Sequence, residues 1–155
     1  MVRYLVYIML ILLFASGRNM DALEFLRREH ENIKQLFADW ETASVARKSE
    51  ILARLRGELQ SHTQAERELF YPALQEAIPE LVKHALDDHA RLDRMLDGLS
   101  AENIDAKMAE LRTEIMEHIS EEETDFFITA QRLLGAERLE ELGREMEASK
   151  SRAAA

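Results

Sequence analysis

Beyond Met20, apolar residues recur at intervals of three and four along almost the whole chain, the period of an amphipathic α-helix. A first helix is predicted from about Asp21 to Ala43, with Leu23, Leu26, Ile33, Leu36, Phe37 and Trp40 on its inner stripe. Asp21 and Glu24 stand as its N-cap and the partner three residues on. Thr42-Ala43-Ser44 is a weak break, with Ser44 able to cap the second helix. That helix is predicted from Val45 to Ala77 through Leu52, Leu55, Leu59, Leu69 and Phe70, with a kink at Pro72, which has no backbone N–H to donate. Pro79 suits the first turn of a third helix, which continues through Leu81, Leu86, Leu92 and Leu96 to Gly98. After a turn over Ser100 to Asp105, a fourth helix runs from about Ala106 to Leu134, and Gly135 ends it. Ala136 to about Ala148 reads as a short amphipathic helix. Four long helices with short connections predict an all-α fold, an up-down antiparallel four-helix bundle with a short C-terminal helix. Residues 20–148 form that bundle, and 149–155 are expected to be a flexible tail.

Composition sharpens this picture. Two prolines and five glycines among 155 residues, with 46% apolar and 32% charged side chains, suit one helical domain with a real core. The net charge of −10 argues against a nucleic-acid surface, which needs clustered Lys and Arg. With no cysteine, disulfides, thiolate nucleophiles and iron–sulfur ligation are excluded, so any metal must use histidine and carboxylate. Residues 1–19 begin basic, carry an apolar run from Tyr4 to Ala15 and have small residues at Ala15, Ser16 and Gly17. The run is too short to span a bilayer, which takes about 20 helical residues. Two expectations follow: an export signal, or a mis-assigned start with translation beginning at Met20 and a cytoplasmic product. A membrane partner is expected only if this segment is retained.

The five histidines carry the chemistry. His62 and Glu66 are followed by Phe70-Tyr71, and His118 and Glu122 by Phe126-Phe127. Residues four apart share a helix face, so each pair aims an imidazole and a carboxylate the same way. The other two helices each offer one histidine before an apolar stripe, His30 and His89. The chain thus reads as two half-bundles, each giving His, then His-x3-Glu. The midpoint of His30 and His62 is position 46, and that of His89 and His118 falls at 103–104, both close to predicted turns. Antiparallel helices rise equally, so residues equidistant from a turn end up level. Four imidazoles and two carboxylates therefore meet in one layer. Each piece alone has an ordinary explanation: a solvated i,i+4 pair, or a histidine satisfied at the edge of a core. The joint pattern does not, because burying two carboxylates without a cation costs several kcal/mol each. A metal site is predicted.

The phrases LRREHENIKQLF, LQSHTQAERELFYPAL, LDDHARLDRML and EHISEEETDFF resemble the hemerythrin-like, HHE cation-binding family from about Asp21 to Leu134. The resemblance implies a non-haem di-iron centre with terminal histidines and bridging carboxylates: His30, His62, Glu66, His89, His118 and Glu122. The ions would be two irons with an oxo or hydroxo bridge, manganese or zinc being less favoured. Two departures stand out. Oxygen-carrying members have a histidine one turn before the third-helix ligand, where this chain has Ala85; His84 lies about 140° around the helix from His89. Those carriers also place the second bridge five residues after the histidine, at Glu123 here, whereas the first repeat favours Glu122. Two six-coordinate ions offer about twelve positions, of which about two would stay open for O2, peroxide or nitric oxide. The resemblance thus points to a protein binding such a ligand for sensing, storage or stress response. Alternatives are a di-iron enzyme degrading peroxide or handling nitric oxide, and a metal-free helical interaction module.

Overall fold

The first helix, α1 (Ala22–Thr42), starts where the capping pattern predicts. The Asp21 carboxylate accepts from the Glu24 amide at 2.9 Å, and the Glu24 carboxylate accepts from the Asp21 amide at 3.2 Å. The structure, a computed structural model, describes residues 20–100 and 102–153. The two expectations for residues 1–19 lie outside them. Among the described residues no helix is long and apolar enough to cross a membrane.

Helix α2 (Val45–Ala65) follows Ser44, whose extended backbone opens the helix although its hydroxyl makes no capping bond. The helix then widens into a π-helical turn over Glu66–Phe70, where the Tyr71 amide donates to the Glu66 carbonyl at 2.8 Å, five residues back. Regular helix ends there, so Pro72 sits in a series of turns over 71–77 rather than kinking a longer rod. The missing proline N–H makes the chain leave the helix, not bend it. Helix α3 (Pro79–Asp97) has Pro79 in its first turn, as predicted. Helix α4 (Ile104–Glu121) passes into a second π-helical turn, Glu122–Phe126, which the sequence reading did not anticipate. Helix α5 (Phe127–Ala153) continues that rod and breaks at Gly135, whose φ of 71° and ψ of 172° only glycine adopts easily.

The segment after Gly135 is longer than expected: residues 149–153, predicted as a loose tail, are helical. The segment runs alongside α1 in the same direction. Gly143 lies so close to Met20 and Ala22 that a Cβ there would sit 2.1 Å from the Met20 carbonyl oxygen. Further along, Arg28 pairs with Glu147 at 3.6 Å, and Lys150 bonds both Glu29 and Glu58. Glu29 is almost fully buried, and its other cation, Arg28, stands 3.9 Å away. A buried carboxylate stripped of its partner is costly, so Lys150→Met is expected to destabilise the bundle by about 1–3 kcal/mol. The double variant Glu29→Gln/Lys150→Met should recover most of that loss in thermal denaturation; no recovery would show that Glu29 is not what Lys150 holds. Burial lowers the proton affinity of Lys150, but its bonds to Glu29 and Glu58 outweigh that and raise it above the ordinary 10.5. Its contribution is therefore complete below pH 10.5 and is lost as the pH climbs through the raised folded value.

The apolar interior falls into two blocks. One gathers Leu23, Phe25, Leu26, Phe70, Val82 and Phe126 with Leu142 and Met146 of the C-terminal segment. The other holds Ile33, Phe37, Leu55, Leu92, Leu111 and Ile115. On helices α1 to α4 the buried histidines fall between the two: His30 on α1, His62 on α2, His89 on α3, His118 on α4.

Candidate metal centre

The predicted layer exists, and all six predicted residues are buried in it: His30, His62, Glu66, His89, His118 and Glu122. They divide into two sets of inward-facing donors, His30, His62, Glu66 and Glu122 in one and Glu66, His89 and His118 in the other, with the donor atoms of each set within 4.8 Å of one another. The sequence repeat reappears as geometry. The His30 and His62 rings are 4.8 Å apart at 66°, and the His89 and His118 rings 4.9 Å apart at 66°.

Glu66 belongs to both sets. Its Oε1 lies 3.3 Å from His62 Nε2 and its Oε2 lies 3.1 Å from His89 Nε2, so one carboxylate presents an oxygen to each half. Glu122 mirrors it: Oε2 is 3.2 Å from His30 Nε2, and Oε1 accepts from the Tyr71 hydroxyl at 3.0 Å. That hydroxyl is also 3.2 Å from His89 Nε2. His89 Nε2 and His118 Nε2 are 3.2 Å apart. Ligand atoms about 2.1 Å from a shared ion lie roughly 3.0–3.4 Å apart, so these spacings suit a coordination shell.

Regular i,i+4 spacing turns both carboxylates inward beside their histidines, and the widened turns that follow bring the next aromatic residues inward as well. In a regular helix the residue five positions on lies about 140° around the axis. In the π turn after Glu66, the fifth residue, Tyr71, comes back over Glu66 and delivers its hydroxyl to the layer. Helix α3 is regular, and there the five-residue spacing has the opposite result: the His84 side chain is 60% exposed and outside the layer. Glu122 and Glu123 take different places: Glu122 lies within the layer. Glu123 lies behind the His30 ring, its Oε1 2.8 Å from Nδ1, which holds the imidazole with Nε2 inward. Asp88 Oδ2 approaches His118 Nδ1 at a longer 3.9 Å.

Electrostatics show how badly the layer suits being without a cation. Burial, reinforced by the Glu122 charge, raises the Glu66 carboxyl well above the usual range. Burial would raise Glu122 too, but the His30 hydrogen bond and the charges of His118 and His30 hold it well below. Burial, helped by the neighbouring imidazoles, pushes His62 far down and brings His89 to about 3. Burial also opposes a proton on His30, yet hydrogen bonds to Glu122 and Glu123 win and raise it. Tyr71 is raised well above its ordinary value by burial and the Glu122 charge, so it stays a hydroxyl donor. His62 and His89 are thus neutral imidazoles with lone pairs to give. Several buried polar atoms lack a well-aligned hydrogen bond, although they face one another: His30 Nε2, both nitrogens of His62, both oxygens of Glu66, and Glu122 Oε2. Buried polar atoms are seldom left so. Four imidazoles and two carboxylates aimed at one another with free lone pairs fit divalent first-row metal ions.

Sequence reasoning missed Tyr71, Asp88 and the role of Glu123 as the residue behind His30. The adjacent pairs Phe70-Tyr71 and Phe126-Phe127, each after a His-x3-Glu, were the trace of the two π turns.

Comparison with known proteins agrees with this geometry. The crystal structure of a Hemerythrin HHE cation binding domain-containing protein from Mycobacterium kansasii, an Rv2633c homolog, superposes with a TM-score of 0.78 at 28% identity, over 85% of this chain and 86% of that one. A protein of Nostoc sp. named DNA nickase is 24% identical over 145 residues, 89% of this chain, but the chain spans only 41% of that relative's length. Residues 21–130 match the family described as Hemerythrin HHE cation binding domain. Helical bundle, buried histidine–carboxylate layer and family match coincide, and the chain belongs to the hemerythrin HHE cation-binding family.

Proposed function

We propose that the chain is a non-haem di-iron protein that binds O2 or a related small ligand, peroxide or nitric oxide, for sensing, storage or stress response. The observation that carries this reading is Glu66: one buried, unpartnered carboxylate with an oxygen turned to each of two histidine pairs. His30, His62, His89 and His118 would be terminal ligands, with Glu66 and Glu122 shared between the ions. A pair of irons supplies open coordination positions and reversible electron transfer to a small ligand. The chain supplies the surroundings. Tyr71 holds Glu122 in place and keeps a proton on a hydroxyl 3.2 Å from His89 Nε2. Phe127 lies nearly parallel to the His30 ring, 5.9 Å away, and with Phe70 and Phe126 closes one side of the layer to water. Four neutral donors against two anionic ones favour holding a ligand over driving iron to high valence.

A second reading, an enzyme degrading peroxide or handling nitric oxide, is favoured by Ala85. Where the oxygen carriers that the chain resembles place a histidine, this methyl borders a cavity that reaches His118 and Glu122, leaving room for a reacting ligand. Nicking of DNA is not carried over from the Nostoc relative, because this chain covers a minor part of it and has a net charge of −10.

Iron content measured together with the absorption spectrum tests the proposal. Protein grown with ample iron is expected to hold about two irons per chain and to show near-ultraviolet bands that change reversibly when oxygen is withdrawn and returned. Gas evolved from added peroxide, and lost in His62→Ala, would move the assignment to the enzyme. A chain with no bound transition metal would overturn both.

A further inference from the structure

A cavity of 290 Å³ opens between α3 and α4, with His84, Asp88 and Glu121 at its mouth and Ala85, His118 and Glu122 on its inner wall. The three mouth residues form their own set of donors, within 4.8 Å of one another. His84 Nε2 is 3.5 Å from Asp88 Oδ2 and 3.4 Å from Glu121 Oε2, at or just beyond the edge length of a coordination shell. The set is prepared unevenly. His84 and Glu121 have side chains 60% exposed, whereas that of Asp88 is only 11% exposed. Arg91 binds Asp88 Oδ1 at 2.8 Å, which fixes the carboxylate and leaves Oδ2 to face both His84 and, at 3.9 Å, His118 Nδ1. One carboxylate thus links the mouth to the buried layer. The inner wall is part of the buried layer itself, formed by His118 and the 97% buried Glu122, so the cavity joins the mouth to the centre.

We propose that His84, Asp88 and Glu121 form a third cation site, which captures a divalent transition-metal ion at the cavity mouth and passes it inward to the buried centre. The inference rests on the metal-centre reading above. It answers a physical difficulty of that centre. His30, His89 and Glu66 have no exposed surface, and a hydrated ion must shed its waters before it reaches them. An outer site with one neutral nitrogen donor and two carboxylates replaces part of the hydration shell first. Like-charged clefts also raise the local concentration and arrival rate of a counter-ion, by about 10-fold or more.

The test uses the full chain, stripped of metal and given Co2+ without oxygen, with bound ions counted by equilibrium dialysis and inner filling followed by visible absorption. The wild type is expected to take a third ion beyond the buried pair. His84→Ala/Glu121→Gln, which alters exposed residues outside the buried layer, should take only the pair, and should fill it about tenfold more slowly. A variant that keeps the third ion, or that loses it but fills at the wild-type rate, overturns the entry role. A wild type that takes only two ions overturns the third site and leaves the centre standing. A wild type that takes none overturns the centre itself.

Discussion

Glu66→Ala is expected to empty both halves of the centre at once, lowering metal affinity by more than about 100-fold, above the range seen when supporting residues are lost. The expectation follows from the position of one side chain. Glu66 Oε1 faces His62 and its Oε2 faces His89, so no other residue can supply the missing oxygen to either half without moving a helix. His118→Ala is the contrast. It removes a donor from the set shared with His89 and Glu66, but leaves His30, His62, Glu66 and Glu122 together. Elemental analysis of the two purified variants should therefore differ: near-complete loss for Glu66→Ala, and retention of about one ion for His118→Ala. Helix content measured by circular dichroism should stay unchanged in both, since neither Glu66 oxygen makes a hydrogen bond that the fold would lose. Equal metal content in Glu66→Ala and the wild type would remove the shared-carboxylate reading.

Much of this arrangement was legible in the chain because it depends on spacing along straight rods. The level meeting of His30, His62, His89 and His118 follows from equal rise on helices joined by short turns, and the Asp21 cap and the Pro79 start follow from local chemistry. What spacing could not give was any departure from a regular helix. The π turns after Glu66 and Glu122 alter which later residues face inward, and their backbone hydrogen bonds leave only the adjacent aromatic pairs as a trace. Tyr71 therefore stood out in the chain only as half of an aromatic pair, although its hydroxyl is part of the layer. The C-terminal segment was misread for a different reason. Its last charged residues resemble a solvated tail, and only partners distant in sequence, Glu58 and the buried Glu29, give Lys150 a reason to stay ordered. Long-range pairing of this kind leaves no periodic mark.

Withdrawing the metal is expected to lower the melting temperature by roughly 10–20 °C. A ligand present at about 1,000 times its dissociation constant stabilises by about 4 kcal/mol, and each kcal/mol moves the melting point of a domain this size by about 3–5 °C. The layer gives the effect its direction. Without a cation, the Glu66 carboxyl is held neutral by burial, Glu122 keeps its charge beside it, and the facing nitrogens of His30 and His62 lack well-aligned hydrogen bonds. An apolar side chain of similar size should suit that state better than the carboxylate does. Glu66→Leu is therefore expected to melt higher than the wild type when both are metal-free, and lower when both are offered metal. That reversal separates a residue kept for coordination from one kept for folding. If chelation left the wild-type melting point unchanged, or if Glu66→Leu were the less stable of the two metal-free proteins, the buried carboxylate would have to be holding the bundle together by itself.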